Sequence, residues 1–339
     1  MSYRMEQQKI SRRQQSQTKL CRKKSHEPRR SKITQESDLL SEEMSGEVIC
    51  NYGSQVDIEG RENVFKDRVY RCHKRANLEP LVAGDQVLWQ HYDPCGIVIA
   101  RIPRSSEICR PDSKGRMRSM AANVDCIAIV FACVPKPDSN LIDRYLVAAE
   151  AQHVRPILII NKTDLLKDHH DTEIQILVKK YQRIGYKIIM VSAKTGEGMQ
   201  ILEEYLCNSM VIFSGQSGVG KTSLLNYLMP TANSPITALS SKTNLGAHTT
   251  AASRLYRLKS GGKIIDSPGI REFSLTHLDK KNILECFIDF RPFLGLCKFR
   301  DCTHRSEASC ALLKAVRERL IIGERLESYH KIMDGFSSA

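Results

Sequence analysis

The sequence predicts an α/β fold built on a doubly wound parallel sheet, with a small β-barrel before it and a helical domain after it. From about residue 123 onward, apolar runs rich in β-branched residues alternate with helical stripes, as in buried parallel strands and their crossovers. A polar motif directly follows each of four runs, at 161–164, 192–194, 215–222 and 266–269. Ligands bind doubly wound sheets at these carboxyl ends of strands, so we expect the motifs to form one site.

The third motif has the pattern of a phosphate-binding P-loop. Residues 215–222 fit G-x-x-x-x-G-K-[ST], in which backbone N–H groups surround the phosphates. Lys221 is expected to contact the β and γ oxygens, and the Thr222 hydroxyl to bind Mg²⁺. The predicted phosphate-binding residues are Gly215, Gln216, Ser217, Gly218, Val219, Gly220, Lys221, Thr222 and Ser223.

The first two motifs predict which base is bound. A carboxylate at Asp164 can accept hydrogen bonds from the ring N–H and the amino group of guanine, a donor pair that adenine lacks. Asn161 is expected to tie this loop to the base and to the P-loop, and Lys162 to lie along the base plane. The Ala193 N–H is expected to face the guanine carbonyl oxygen. An ATPase with a chance Asn-Lys-x-Asp is the alternative. The predicted guanine-binding residues are Asn161, Lys162, Thr163, Asp164, Ser192, Ala193 and Lys194.

The last motif and the segment before it predict a magnesium site and a switch. Asp266 is expected to act on Mg²⁺ through water, and the Gly269 N–H to contact the γ-phosphate. A threonine in 246–250 should close over the ion, and we favour Thr250 over Thr249. The predicted magnesium residues are Thr222, Thr250 and Asp266, with GTP as the bound nucleotide.

The chain needs a group that orients the attacking water. Ile270 stands after Gly269, where many GTPases place a glutamine. His248 in the switch segment is the nearest candidate in sequence, since a neutral imidazole can orient or deprotonate water. An exposed loop histidine is the alternative interpretation. The predicted catalytic residues are therefore His248 and Lys221.

The order of the motifs is unusual. Ordinary GTPases carry the same parts with the P-loop first, whereas here the guanine-binding half precedes the phosphate-binding half. We therefore predict a circularly permuted P-loop GTPase domain and place it at residues 113–275.

Residues 41–112 predict a β-barrel. Short β-rich runs are separated by turn residues, among them 51–54, Ala83-Gly84-Asp85 and Cys95-Gly96. An OB-fold is the leading candidate, and such barrels either bind oligonucleotides or serve as scaffolds. Trp89 and Tyr92 could stack on bases or fill the barrel.

A zinc site is predicted in the C-terminal domain, which we place at residues 276–339. Three thiols and one imidazole fall within fourteen residues, a complete tetrahedral set with no open position, which is typical of structural zinc. Free cysteines on a reduced loop are the alternative. Helices are expected at 311–322 and 324–333. The predicted zinc ligands are Cys297, Cys302, His304 and Cys310.

The charge is concentrated at the N-terminus. The net charge is +13, and residues 1–35 carry eleven Lys or Arg against Glu6 and Glu27. We predict a disordered basic tail over 1–40, which could contact nucleic-acid phosphates, solubilise the chain or act as a transit peptide. The longest apolar run, 126–134, is too short to span a membrane. With scattered single cysteines, this indicates a cytoplasmic protein without a membrane partner.

From about Gly46 to the C-terminus, the chain resembles the RsgA (YjeQ) family of bacterial small-ribosomal-subunit-dependent GTPases. The basic tail lies outside the matched pattern, and Ala247 replaces a polar residue that usually precedes the histidine. The resemblance rests on the permuted motifs and on residues 51–54, 141–145, 246–250, 266–273 and 297–310.

The resemblance implies GTP hydrolysis to GDP and phosphate, stimulated by the small ribosomal subunit during its late maturation and coupled to release from the subunit. It also implies a catalytic role for His248, contacts with ribosomal RNA, one structural zinc ion and Mg²⁺ bound with GTP. We expect a monomer. The alternative function is an rRNA-binding assembly factor that uses GTP mainly as a ligand.

Overall fold

The computed structural model describes residues 41–112, 114–166, 171–229, 253–266 and 280–335. The predicted tail and the predicted switch segment lie outside these ranges. None of the helices in the described ranges is both long and apolar enough to cross a bilayer.

Residues 41–112, all of them described, contain a closed barrel. Its strands pair in the order β1-β2-β3-β5-β4, and β4 returns to β1. The predicted barrel is thus confirmed, with the five-stranded closure of an OB-fold. The strands are β1 (Met44–Asn51), β2 (Gln55–Gly60), β3 (Val69–Lys74), β4 (Gln86–Tyr92) and β5 (Cys95–Arg101), with a 3₁₀ turn at Asn63–Phe65.

One detail of the barrel contradicts a prediction, and another decides between two alternatives. The turn expected at Cys95-Gly96 is wrong, because both residues belong to β5 and pair with Tyr92 and His91. Trp89 is fully buried, and its indole N–H donates to the Ser45 carbonyl at 3.3 Å. Trp89 therefore fills the barrel rather than offering a surface to bases.

A hairpin that the sequence did not predict follows the barrel. It consists of β6 (Glu107–Pro111) and β7 (Met117–Ala122), which pair antiparallel. Ile108 and Ala121 enter the core beneath the following domain. The predicted domain boundary after residue 112 falls in the turn of this hairpin.

The central domain is built on a mostly parallel sheet. Its strands run in the order β10-β9-β8-β11-β13-β12, and β12 alone among these is antiparallel to its neighbour. The strands are β8 (Cys126–Ala132), β9 (Arg155–Asn161), β10 (Ile188–Met190), β11 (Met210–Gly215), β12 (Arg254–Arg257) and β13 (Lys263–Asp266). Every residue of β8 is buried, as expected for a strand covered on both faces.

Helices cover both faces of this sheet. Residues of α1 (Ser139–Ala151) and α2 (Asp171–Ile184) pack into one core cluster. Residues of α3 (Met199–Leu206) and α4 (Lys221–Leu228) pack into another. This arrangement confirms the predicted doubly wound α/β fold.

Buried carboxylates join the barrel to the edge of the sheet. Arg257 on β12 donates from Nε to Glu59 Oε1 at 2.9 Å, and Glu59 is almost completely buried. Lys263 on β13 forms a second ion pair with the buried Glu47. The barrel is thereby attached to β12 and β13, the strand that ends at Asp266.

The C-terminal domain is helical, with α5 (Lys280–Ile283), α6 (Ala311–Arg317) and α7 (Gly323–Gly335). Two 3₁₀ turns, Leu284–Cys286 and Arg291–Phe293, precede the cysteine cluster. The predicted helix at 311–322 is wrong at its end. Arg319 adopts a left-handed conformation (φ 59°), and its N–H and that of Leu320 bond back to Val316 and Ala315 carbonyls, which closes the helix early.

A buried ion network holds the C-terminal domain on the central domain. The Arg325 guanidinium on α7 lies 2.5 Å from Asp143 on α1 and 2.8 Å from Asp289. Asp143 also accepts a hydrogen bond from Tyr181 of α2 at 2.7 Å. Burial lowers the pKa of Arg325, but the two carboxylates outweigh it and hold that pKa above its ordinary value. The charge is therefore retained inside the interface.

We expect Arg325→Met to destabilise the C-terminal domain by about 3–5 kcal/mol, because two buried carboxylates lose their counter-charge. Urea unfolding followed by circular dichroism measures the change. Lys136→Ala is the matched control, since it removes one member of an exposed ion pair between the segment before α1 and Glu173 of α2. Equal small effects of both substitutions would show that the buried network does not hold the interface.

Candidate nucleotide-binding site and metal centre

The predicted motifs meet at one edge of the sheet. Strands β9, β10, β11 and β13 run parallel, so the residues that follow their carboxyl ends lie side by side. The structure brings together 161–164, 192–194 and the P-loop residues 215–222, and it places Asp266 at the end of β13.

Asn161 connects three of the predicted motifs. Its side chain is buried, its amide nitrogen donates to the Val219 carbonyl at 2.9 Å, and its amide oxygen accepts from the Ala193 N–H at 3.1 Å. One side chain thus fixes the base-side loops against the P-loop. This is the link that the sequence predicted for Asn161.

Lys162 lies across the mouth of the P-loop. It adopts a left-handed backbone conformation (φ 64°), and its ammonium group donates to the Gly218 carbonyl at 2.7 Å and to the Val134 carbonyl at 2.8 Å. The Val134 acceptor could not be predicted, because a backbone carbonyl is available at every position and has no sequence pattern. Lys162 therefore joins the P-loop to the segment leading into α1.

Asp164 is oriented by the neighbouring motif. The fully buried Ser192 hydroxyl donates to Asp164 Oδ1 at 2.6 Å and accepts the Thr195 N–H at 3.1 Å. This hydrogen bond restricts the rotation of the Asp164 carboxylate. The carboxylate can then discriminate among bases by the donors they present.

The P-loop conformation depends on glycine at two positions. Gly215 (φ 138°) is packed so closely that an added Cβ would lie 2.1 Å from the Val130 carbonyl. Gly220 (φ 89°) is similarly restricted, with the Asn161 amide nitrogen 2.3 Å from the position of a Cβ. Both the left-handed backbone and the close packing exclude larger residues here.

Lys221 stands at the first turn of α4 with its ammonium group bent over the loop. It donates to the Gly215 and Gln216 carbonyls at 2.5 and 2.6 Å. The loop borders an open cavity of about 450 Å³ lined by Lys162, Gly215, Ser217, Gly218, Gly220, Lys221, Thr222 and Ser223. The helix N-terminus and two ammonium groups make this cavity suitable for an anion.

Some predicted residues cannot be placed. Gly269 of the last motif, His248, Thr249 and Thr250 lie outside the described residues. Asp266 is described, and it lies opposite Arg254 in the β12–β13 pair.

The four predicted metal ligands converge. Their donor atoms all lie within 4.8 Å of one another. Cys297 Sγ is 3.9 Å from Cys310 Sγ and 3.6 Å from His304 Nδ1, and the latter is 3.3 Å from Cys310 Sγ. This group could hold a metal ion.

The surroundings of the cluster favour metal binding. Backbone N–H groups of Ala311 and Leu313 donate to the Cys297 and Cys310 sulfurs at 3.3 and 3.5 Å, from the first turn of α6. Such bonds stabilise thiolates. Burial lowers the pKa of His304 below its ordinary value, which favours the neutral imidazole that a metal requires.

Comparison with known proteins places the chain among GTPases. A family model described as RsgA GTPase matches residues 101–276. The chain is 47% identical over 295 residues to the small ribosomal subunit biogenesis GTPase RsgA of Ectopseudomonas mendocina, covering 87% of this chain and 86% of the relative. The protein of the same name from Azotobacter vinelandii is 48% identical over 295 residues, with the same coverage.

Two solved structures are also similar to this chain. The crystal structure of YjeQ from Thermotoga maritima superposes with a TM-score of 0.72 at 26% sequence identity, and the match covers 88% of this chain and 99% of the YjeQ chain. The structure of YloQ, a circularly permuted GTPase, superposes with a TM-score of 0.71 at 28% sequence identity, and the match covers 91% of this chain and 98% of the YloQ chain.

The fold, the order of the motifs along the chain and their convergence at one sheet edge define a circularly permuted GTPase, an enzyme that hydrolyses GTP. Within that class, the chain belongs to the RsgA GTPase family.

Proposed function

We propose that this GTPase binds the small ribosomal subunit and acts in its late maturation, with GTP hydrolysis stimulated by the subunit and coupled to release. One observation carries the proposal. The match to a relative named for small ribosomal subunit biogenesis spans 295 residues, or 87% of the chain, so it extends well beyond the GTPase domain. We propose a division into a tail (1–40), a barrel (41–112), a GTPase domain (113–275) and a C-terminal domain (276–339), with the hairpin β6–β7 connecting the barrel to the GTPase domain.

The guanine end of the site comprises the two motifs held by Asn161. We assign recognition of the guanine N–H and amino donors to Asp164, which Ser192 holds in place. Lys162 lies along the base, and the Ala193 N–H contacts the guanine carbonyl oxygen. Thr163 and Lys194 complete this part of the site.

The phosphate end comprises the P-loop, Asp266 and Gly269. Lys221 exchanges its loop carbonyls for β and γ oxygens of GTP, and the backbone N–H groups of 216–223 surround the phosphates. Thr222, Thr250 and Asp266 are suited to Mg²⁺, because hydroxyl and carboxylate oxygens are its preferred protein ligands. When bound, Mg²⁺ neutralises charge on the β and γ phosphates. We retain His248 as the residue that orients water.

The metal cluster fits zinc in both chemistry and dimensions. Zn–S and Zn–N bonds of about 2.3 and 2.0 Å give tetrahedral edges of about 3.8 Å between sulfurs and about 3.5 Å between sulfur and nitrogen. The three edges among Cys297, His304 and Cys310 measure 3.9, 3.6 and 3.3 Å. All four donor atoms, including that of Cys302, lie within 4.8 Å of one another. Four protein ligands leave no open position, so the ion would act as a structural cross-link between the loop and α6.

We expect Cys310→Ser to abolish zinc binding and to unfold the C-terminal domain, because metal-binding free energy in small zinc domains is folding free energy, on the order of 10 kcal/mol. Metal analysis and limited proteolysis measure the two effects. Cys286→Ala is the matched control, since Cys286 is buried in the same core outside the cluster. Full zinc content in the Cys310 variant would refute the ligand assignment.

Charge and cysteine usage support the remaining parts of the proposal. The net charge of +13 favours an rRNA partner, with the basic tail as an additional contact. Cysteines scattered singly along the sequence suit a reducing cytoplasm. We propose that the protein acts there as a monomer.

Sedimentation with purified small subunits tests the partner and the release step. We expect co-sedimentation with a non-hydrolysable GTP analogue and release with GDP. Purified large subunits serve as the control. Absence of binding in both nucleotide states would refute the partner, whereas equal binding in both would refute release by hydrolysis.

A further inference from the structure

The loop that carries the first metal ligand exposes apolar side chains. We call residues 293–300 the aromatic loop. Phe299 is 51% exposed and Leu296 is 65% exposed, whereas Phe293 and Cys297 of the same loop pack against the domain core. Large exposed apolar groups next to a well-packed core mark binding surfaces when they are grouped.

The aromatic loop borders a cavity. Its volume is about 410 Å³, large enough for a nucleobase, and its walls include Phe293, Leu294, Phe299 and the metal ligand Cys302. Lys298 and Arg300 stand at the rim. The cavity therefore combines an apolar, aromatic wall with a cationic edge.

The two rim cations are available to a partner. Lys298 and Arg300 form no ion pair with any residue in the described ranges, whereas Arg291 and Arg305 of the same domain are paired with Glu150 and Asp334. The Lys298 ammonium lies 5.6 Å from the centre of the Phe299 ring. An aromatic side chain flanked in sequence by two cations that lack an ion pair within the described residues favours a partner with flat bases and negative phosphates.

The backbone on both sides of Phe299 is held in place. Phe299 lies between Cys297 and Cys302, whose donor atoms belong to the metal cluster, and the Lys298 N–H donates to the Ser309 carbonyl at 3.3 Å. Because the backbone on each side is fixed, little ordering is required when the ring makes a contact.

We propose that Phe299 stacks on one unpaired base of RNA, while Lys298 and Arg300 contact the adjoining phosphates. The inference rests on the proposed function for the identity of the RNA, which is that of the small subunit. Unpaired bases in loops and bulges are the parts of RNA that offer a free face for stacking. The cavity receives the edge of the stacked base.

Binding of the zinc-loaded full chain to small subunits tests the proposal. We expect Phe299→Ala to weaken binding about ten-fold or more, and Phe299→Tyr to retain it, because stacking requires a ring. Leu320→Ala is the matched control, since Leu320 is equally exposed in the same domain and lies outside the cavity. Zinc content of each variant verifies that the loop is intact.

Salt dependence separates the two kinds of contact. Lys298→Ala should lower the slope of log affinity against log salt by about one, whereas Phe299→Ala should leave the slope unchanged. A reduced slope for the Phe299 variant, or unchanged affinity in a variant that retains zinc, would overturn the stacking proposal.

A fluorescence reporter detects stacking directly. The single tryptophan of the chain, Trp89, is buried in the barrel. Phe299→Trp places a second indole at the proposed contact, and we expect protein-free small-subunit RNA to quench its emission. Quenching by intact subunits but not by the RNA alone would assign the loop to a ribosomal protein and overturn the proposal. Failure of the wild-type chain to bind small subunits would instead refute the proposed function.

Discussion

Lys221→Ala should reduce GTP hydrolysis by about 10²–10³-fold, the usual loss when one donor to a developing negative charge is removed. The wild-type ammonium group lies over the P-loop with carbonyl acceptors at 2.5 and 2.6 Å, so it is already placed at the phosphate cavity. The guanine end of the site is untouched by the change, and GTP binding should persist in weakened form. Phosphate release under single-turnover conditions measures the effect.

Asn226→Ala is the matched control for this experiment, because Asn226 is exposed on the same helix and does not line the cavity. Hydrolysis that survives in the Lys221 variant would mean that the phosphate site has been assigned wrongly. An inactive wild-type protein that binds GTP and the subunit would favour the other interpretation, an assembly factor that uses GTP as a ligand.

Asp164→Asn should weaken GTP binding by about 100-fold or more, because the new amide accepts from only one of the two guanine donors, without a charge, and its NH2 group opposes the other donor. The same substitution should improve binding of xanthosine triphosphate, whose carbonyl at the position of the guanine amino group accepts a hydrogen bond from the new amide. ATP should bind weakly to both proteins. Competition against a fluorescent guanine nucleotide provides the three affinities.

Ser192→Ala is a graded control, because it removes the hydroxyl that holds Asp164 at 2.6 Å but leaves the carboxylate in place. It should weaken GTP binding less than Asp164→Asn and should not improve binding of xanthosine triphosphate. Comparable wild-type affinities for ATP and GTP would contradict the assignment of Asp164 to guanine recognition.

Much of the site could be predicted because its chemistry depends on side chains at fixed spacing. The spacing of the four metal ligands predicted that their donor atoms lie close together, as they do in the structure. Asn161 stands at the end of a strand, and its amide contacts two of the other motifs. The doubly wound sheet followed from periodicity, since fully buried strands such as β8 have no polar alternation.

Other features have no local pattern in the sequence. Arg325 and Asp143 are 182 residues apart in the chain, and each resembles an ordinary surface charge on an amphipathic helix. The acceptors of Lys162 are backbone carbonyls, which every residue supplies. The hairpin β6–β7 was missed because its two short strands, EICRP and MRSMAA, show no regular alternation of apolar and polar residues.

The attachment of the C-terminal domain and of the barrel is relevant to how GTP hydrolysis would control release of the protein from the subunit. The buried pair of Arg325 and Asp143 fixes that domain to α1, while Lys162 connects the segment before α1 to the P-loop through Val134. Glu59 and Arg257 fix the barrel to the strand next to Asp266. The barrel and the C-terminal domain therefore both contact elements that border the nucleotide site.

GTP turnover by the purified protein, with and without small ribosomal subunits, tests the central claim most directly. The proposed function predicts slow turnover by the protein alone and a large rise when small subunits are added, with no rise for large subunits and none for the Lys221→Ala variant. Turnover that small subunits leave unchanged would contradict the claim that the subunit activates this GTPase.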